Sequence, residues 1–275
     1  MENHISEKKI LPEKENSNKF GKVSRLQLVA ALKNDRTILQ DVSFTAPFKI
    51  MRPFYEKGST MMVMQQTASA GIMAGDRQEI EICVKKGADM EVISQAYEKI
   101  HKMNEGYAER VTSIVMEPNT RLSYRPLPTI PFTGSDFRSR LRVELADETS
   151  EFIYQEVLCC GRVAHGEQFG YRNYQNQVSI YKKGHVVYFD NSRYVPQQMA
   201  MNSFGMYEGY THMANLILCN LKREDAWLTD CRAYLDALES IDAAVTRMAS
   251  GDIFIKIFGY SAEKLLKTMN DIMQR

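Results

Sequence analysis

Arg77-Gln78-Glu79-Ile80-Glu81-Ile82-Cys83-Val84 is the stretch from which the fold can be read. Ile80, Ile82 and Val84 fall on one face, and Glu79, Glu81 and Cys83 on the other. Successive side chains of an extended chain point to opposite sides, so this alternation marks a strand with one buried face. Lys85-Lys86-Gly87-Ala88-Asp89 then supplies a turn. The rhythm continues in both directions. Residues 22–32 are apolar enough for a strand and stop at the turn pair Asn34-Asp35. Residues 111–116 precede Pro118-Asn119, and residues 121–127 precede a proline-punctuated stretch that runs to Pro131. Leu141, Val143 and Leu145 alternate with polar neighbours, and residues 152–158, 177–181 and 185–189 follow, the last two across Lys182-Lys183-Gly184. Strands recurring every ten residues or so predict a mainly β fold of stacked or coiled sheets. No fixed sequence period accompanies them, so repeats give no support for a regular solenoid.

The last quarter changes character. Within residues 224–238, Trp227, Cys231, Leu235 and Leu238 share one helical face, and Glu224 and Asp225 suit the positive end of the helix dipole. Within residues 261–274, Leu265, Leu266, Met269, Ile272 and Met273 form an apolar stripe, with Ser261 placed to cap it. Residues 252–258 read as a strand between them, with Gly259 in the following turn. Two or more helices are therefore expected near the C-terminus.

At 44% hydrophobic residues, the chain has ample material for a packed core. Residues 1–20 are polar and rich in Lys, Glu and Asn, which predicts a disordered tail; residues 21–275 are expected to form a single β-rich domain. Thirty-five basic against 34 acidic residues give no electrostatic reason to expect nucleic acid or an anionic membrane as a partner. The five cysteines include no C-x-x-C pair, the first residues lack an apolar signal-peptide core, and no apolar run suits a membrane span, which together predict a cytoplasmic protein.

Motifs for chemistry are scarce. G-x-x-x-x-G-K-[ST], G-x-G-x-x-G, H-E-x-x-H and G-x-S-x-G are all missing, which argues against a nucleotide hydrolase, a zinc protease or a serine hydrolase. No histidines pair at i, i+4, and adjacent Cys159 and Cys160 should point to opposite faces of a strand as buried thiols. Met61-Met62-Val63-Met64 reads as core or as an adaptable partner surface. Two glycine-bearing constellations stand out: Gly71-Ile72-Met73-Ala74-Gly75-Asp76-Arg77 and Gly161-Arg162-Val163-Ala164-His165-Gly166-Glu167. One reading has their glycines in positive-φ turns while Asp76, Arg162 and Glu167 satisfy the turn backbone or one another. The other has them lining a polar passage or a contact surface.

These constellations also carry a likeness to a family. With Ser94-Gln95-Ala96-Tyr97-Glu98-Lys99-Ile100-His101, Leu127-Pro128-Thr129-Ile130-Pro131-Phe132 and the stretch from Tyr188 to Asn191, they resemble the urease accessory protein family UreD, called UreH in some bacteria. The likeness is strong over residues 44–192, weaker beyond, and closest to the UreH branch. Ile72 stands where a second glycine is common, and Ser94 and His101 replace the usual Thr and Tyr, so His101 is not carried over as a ligand.

The resemblance implies a non-enzymatic, mainly β protein that binds UreF, recruits the GTPase UreG through it, and docks on urease apoprotein so that nickel reaches the active site. No cofactor is expected to be tightly bound; nickel is in transit. Asp76, Glu156 and Glu167 are then the expected passage residues, with Arg162 as their orienting partner and Gly71, Gly75, Gly161 and Gly166 shaping the backbone. The C-terminal helices and the Met-rich segment are expected partner surfaces. The alternatives are a β-sandwich module for a small ligand or carbohydrate, using exposed Tyr and Phe as stacking platforms, and a hydrolase with Asp76 and Glu167 as its carboxylate pair.

Overall fold

The computed structural model describes residues 23–55 and 60–275; the tail expected over residues 1–20 lies outside the described residues. The strands are β1 (Val23–Lys33), β2 (Arg36–Phe44), β3 (Phe48–Ile50), β4 (Phe54–Tyr55), β5 (Met61–Thr67), β6 (Arg77–Val84), β7 (Asp89–Ser94), β8 (Glu98–Ile100) and β9 (Ala108–Met116). They continue as β10 (Arg121–Arg125), β11 (Thr129–Pro131), β12 (Asp136–Leu145), β13 (Glu151–Cys159), β14 (Asn173–Lys182), β15 (His185–Tyr194), β16 (His212–Cys219), β17 (Ile241–Arg247) and β18 (Ile253–Gly259). The helices are α1 (Asp225–Asp236) and α2 (Ala262–Gln274).

The chain coils between two sheets. β6, β9, β12 and β14 lie side by side in the first sheet, parallel to one another and to β1. The strands between them in sequence, β7, β10 and β13, lie parallel in the second, beside β5. Each turn of the coil therefore contributes one strand to each sheet. A short third ladder of Ile72, β8 and β11 runs along one side and joins β13 at Leu158. Antiparallel strands finish the edges: β2 and β15 on the first sheet, and β16, β18 and β17 on the second.

The architecture is the coiled form of the expected mainly β fold. Its parallel crossovers distinguish it from an antiparallel sandwich. The period is absent from the sequence because the turns differ in length; corresponding strands begin at Arg77, Ala108, Asp136 and Asn173. The last interval is stretched by the loop that holds a 3₁₀ turn, Val163–His165.

Alternation sets the layers. The inward faces pack Leu26, Leu28, Ile80, Ile82, Ile114, Val143, Phe152, Val178 and Ile180 into the first core cluster. Burying such a side chain is worth about 1.5–3 kcal/mol. Met61 and Val63 belong to this cluster, and Met62 is buried too, so these members of the Met-rich segment are interior and not a partner surface. The outward face of the second sheet is covered by both helices, whose Leu228, Cys231, Leu235, Leu265, Met269 and Ile272 pack on Leu216, Ile255 and Ile257. Ser261 caps α2, its hydroxyl accepting the Lys264 N–H at 3.3 Å. Gly259 is not in a turn: it closes β18, paired on both sides with His212 and Ile241.

Candidate functional site: a polar stripe inside the coil

In-register parallel strands turn a single position into a row. In the first sheet, Ser24 stands beside Gln78, Gln78 beside Arg110, Arg110 beside Ser139, Ser139 beside Asn176, and Asn176 beside Ser192. Every member is polar, and the row crosses the sheet from β1 to β15. The second sheet faces it with Gln65 beside Ser94, and with Glu156 beside Asn215 and Asn215 beside Lys256. On one side of this stripe lies the first apolar cluster. On the other lies an apolar cap built from Ile72, Ile100, Phe137, Leu158, Tyr171, Tyr174, Tyr207 and Met213.

An interior cavity of ≈ 60 Å³ opens along the stripe, lined among others by Glu98, Arg110, Tyr154, Glu156, Tyr174 and Asn176. That volume holds a few waters. Within the stripe, Glu156 joins the two sheets through polar atoms. Its carboxylate accepts from the Tyr154 hydroxyl at 2.9 Å, the Asn176 amide at 2.5 Å and the Asn215 amide at 2.6 Å. All three donors are neutral. Burial pushes the Glu156 carboxyl above its ordinary range against the pull of these donors, with Asp190 raising it further and Lys256 opposing. Asn215 Oδ1 is buried without a partner, so the stripe has unused polar capacity.

Arg110 occupies the middle of the first row. Its guanidinium donates to Gln78 Oε1 at 2.8 and 2.5 Å, pairs with the Glu98 carboxylate, and lies 5.8 Å from the Phe137 ring centroid. The pair is enclosed, with side chains 12% and 15% exposed.

Of the three carboxylates expected to line a passage, only Glu156 lines this cavity. Asp76 accepts the Met73 N–H at 2.8 Å in the turn between β5 and β6. Glu167 is bound by Arg162, with one bond at 2.9 Å, and accepts the Thr133 N–H at 3.3 Å; that pair holds its carboxyl below the usual range. Asp76 and Glu167 thus satisfy separate turns, and neither lines this cavity. Arg162 also stacks on Phe132 at 4.2 Å, so it orients its own loop.

The glycines serve the backbone. Gly71 has φ +144°, and a Cβ there would lie 2.4 Å from Lys99 O; Gly161 has φ +149°, with its Cβ 2.7 Å from Glu167 O. His101 Nε2 lies 3.0 Å from Ala70 O and its ring packs edge-on against Phe132. Cys159 joins the helix-side cluster while Cys160 is buried after the strand end, their thiols pushed up to about 12 and about 11 by burial. Among the described residues, no group of three or more His, Cys, Asp or Glu is arranged to hold a metal ion, and no helix is long and apolar enough to cross a membrane.

Sequence reading missed Gln78, Glu98, Arg110, Asn176 and Asn215. For three of them the signal was present in the phase of the alternation. Gln78 is in phase with Ile80, Ile82 and Val84, Arg110 with Thr112 and Ile114, and Asn176 with Val178 and Ile180, which marks each as inward-facing.

Fold and site together define a β-coil protein with an enclosed polar interior between two apolar layers. The UreD urease accessory protein model matches residues 22–275. A urease accessory protein UreD from Acetivibrio thermocellus is 37% identical over 260 residues, covering 93% of this chain and 99% of the relative. A urease accessory protein UreH from Helicobacter pylori strain P12 is 33% identical over 250 residues, covering 90% and 93%. The chain belongs to the UreD family of urease accessory proteins.

Proposed function

We propose that this chain acts in urease maturation as the scaffold through which nickel passes. In this reading it binds UreF, is joined by the GTPase UreG through UreF, and docks on urease apoprotein in the cytoplasm. Nickel is cargo, and the chain itself makes or breaks no covalent bond. The reading is carried by Glu156: a buried carboxylate held by three neutral donors, on a stripe of polar rows that spans the coil.

The chemistry supports transit over storage. A buried carboxylate without a cation against it is costly, so it takes up a proton or a metal ion. The same carboxylate can therefore exchange one for the other as an ion arrives and leaves. Nickel stands high in the Irving–Williams order, and a cage of thiolates and imidazoles would hold it. One carboxylate with amide and hydroxyl neighbours gives the weak contact that conduction needs, since a conducted ion must also leave.

The test is reconstitution. Urease apoprotein, Ni²⁺, GTP, UreF and UreG are combined with the parent chain, with Glu156→Gln, or without the chain. Activation is expected to require the chain and to fall at least tenfold with Glu156→Gln, while the variant still co-purifies with UreF. Full activation by Glu156→Gln would remove the passage role.

A further inference from the structure

The row that carries Glu156 runs on to a lysine. Glu156, Asn215 and Lys256 stand directly opposite one another on β13, β16 and β18, so their side chains share one face of the second sheet. The edge strand of the first sheet, β15, supplies the other wall. There Asp190 pairs with Val178 and Ser192 with Asn176, both buried and inward-facing, so Asp190 and Ser192 point inward too. The Ser192 hydroxyl donates to Asp190 Oδ2 at 2.8 Å, and Ser192 lines the same cavity as Glu156.

Aromatic contacts frame this polar gap. Tyr188 packs on Phe254 on one side, with ring centroids 5.6 Å apart. On the other side Tyr194 and Phe258 both pack on Tyr207, at 6.0 and 5.6 Å. Lys256 falls between Phe254 and Phe258 in the alternation of β18, which sets it across from Asp190 and Ser192. Asp190 and Lys256 are half-buried, and their charges reach Glu156 with opposite signs.

We infer that Asp190 and Lys256 control the exchange of a divalent cation at Glu156 from the β15 end of the stripe, Asp190 drawing the ion in and Lys256 keeping its stay short. This rests on the passage reading and assigns its affinity control. Two carboxylates acting on one point favour a hard divalent cation. An ammonium fixed on the same row repels that cation and has no acceptor to offer it. Both are positioning residues for the ion at Glu156, because they act on it through their fields.

Equilibrium dialysis of Ni²⁺ alone against the purified full chain tests this. Asp190→Asn is expected to weaken binding at least threefold. Lys256→Met is expected to tighten it at least threefold and to slow activation of urease apoprotein, while Lys256→Arg, which keeps the charge, should bind like the parent. A purely structural role would leave affinity unchanged or move it the same way in Asp190→Asn and Lys256→Met, and either result overturns the assignment. If Lys256→Met fails to fold, Asp190→Asn decides alone: parent-like binding then sinks the proposal. Lost activation in Glu156→Gln with unchanged affinity in these variants overturns only the role of Asp190 and Lys256. Unchanged activation in Glu156→Gln overturns the passage itself.

Discussion

Glu156 carries a pH signature. Its folded carboxyl is raised by burial, so the native state holds a proton over a range where the unfolded chain has lost it. Native stability from this group is therefore greatest below the ordinary carboxylate value and declines as pH rises through the raised one. Glu156→Gln removes the decline. The difference in Tm between variant and parent is expected to shift in favour of the variant as pH is taken from 4.5 to 8; a constant difference would refute the assigned protonation. Gly71 makes a different demand. A side chain at φ +144°, 2.4 Å from Lys99 O, must displace backbone, so Gly71→Ala should cost about 1–3 kcal/mol in urea unfolding. Asp76→Ala loses one bond to the Met73 N–H and should cost about 1 kcal/mol, with Ni²⁺ binding unchanged because the residue lies outside the cavity.

At the scale of elements, one buried ion pair joins the two sheets at the end of the coil opposite the stripe. Lys182, the last residue of β14, bonds Asp252 at 3.1 Å just before β18, with side chains 10% and 2% exposed. Asp252 also accepts the Asn220 N–H at 2.8 Å. Asp252→Ala strands the lysine and should cost about 3–5 kcal/mol, whereas Lys182→Met/Asp252→Leu should cost much less, because an isolated buried charge is worse than none. Equal losses in chemical denaturation would contradict that account. The cap of α2 is smaller in effect: Ser261→Ala removes its hydroxyl bond to the Lys264 N–H and should cost about 1 kcal/mol.

For the whole molecule, the arrangement of layers is the functional fact. Apolar clusters lie on both sides of the polar stripe, and within it Arg110 bonds Gln78 while Asn176 and Asn215 bond Glu156. Alternation in residues 77–84, the turn at Asn34-Asp35 and the apolar faces of α1 and α2 were legible in the sequence, because side-chain direction follows from local backbone geometry. The family could be recognised for a related reason: motifs that hold positive-φ turns, such as those at Gly71 and Gly161, admit few residues. Which strands become neighbours is not a local property. The register that sets Gln78 beside Arg110, and Glu156 beside Asn215, joins residues far apart in the chain. Sequence alone thus determined a β-rich chain with polar residues in inward phase. Only the tertiary structure decided that those residues form one continuous stripe, that Glu156 stands on it, and that Asp76 and Glu167 do not, since strand pairing is a long-range choice that no short window of sequence contains.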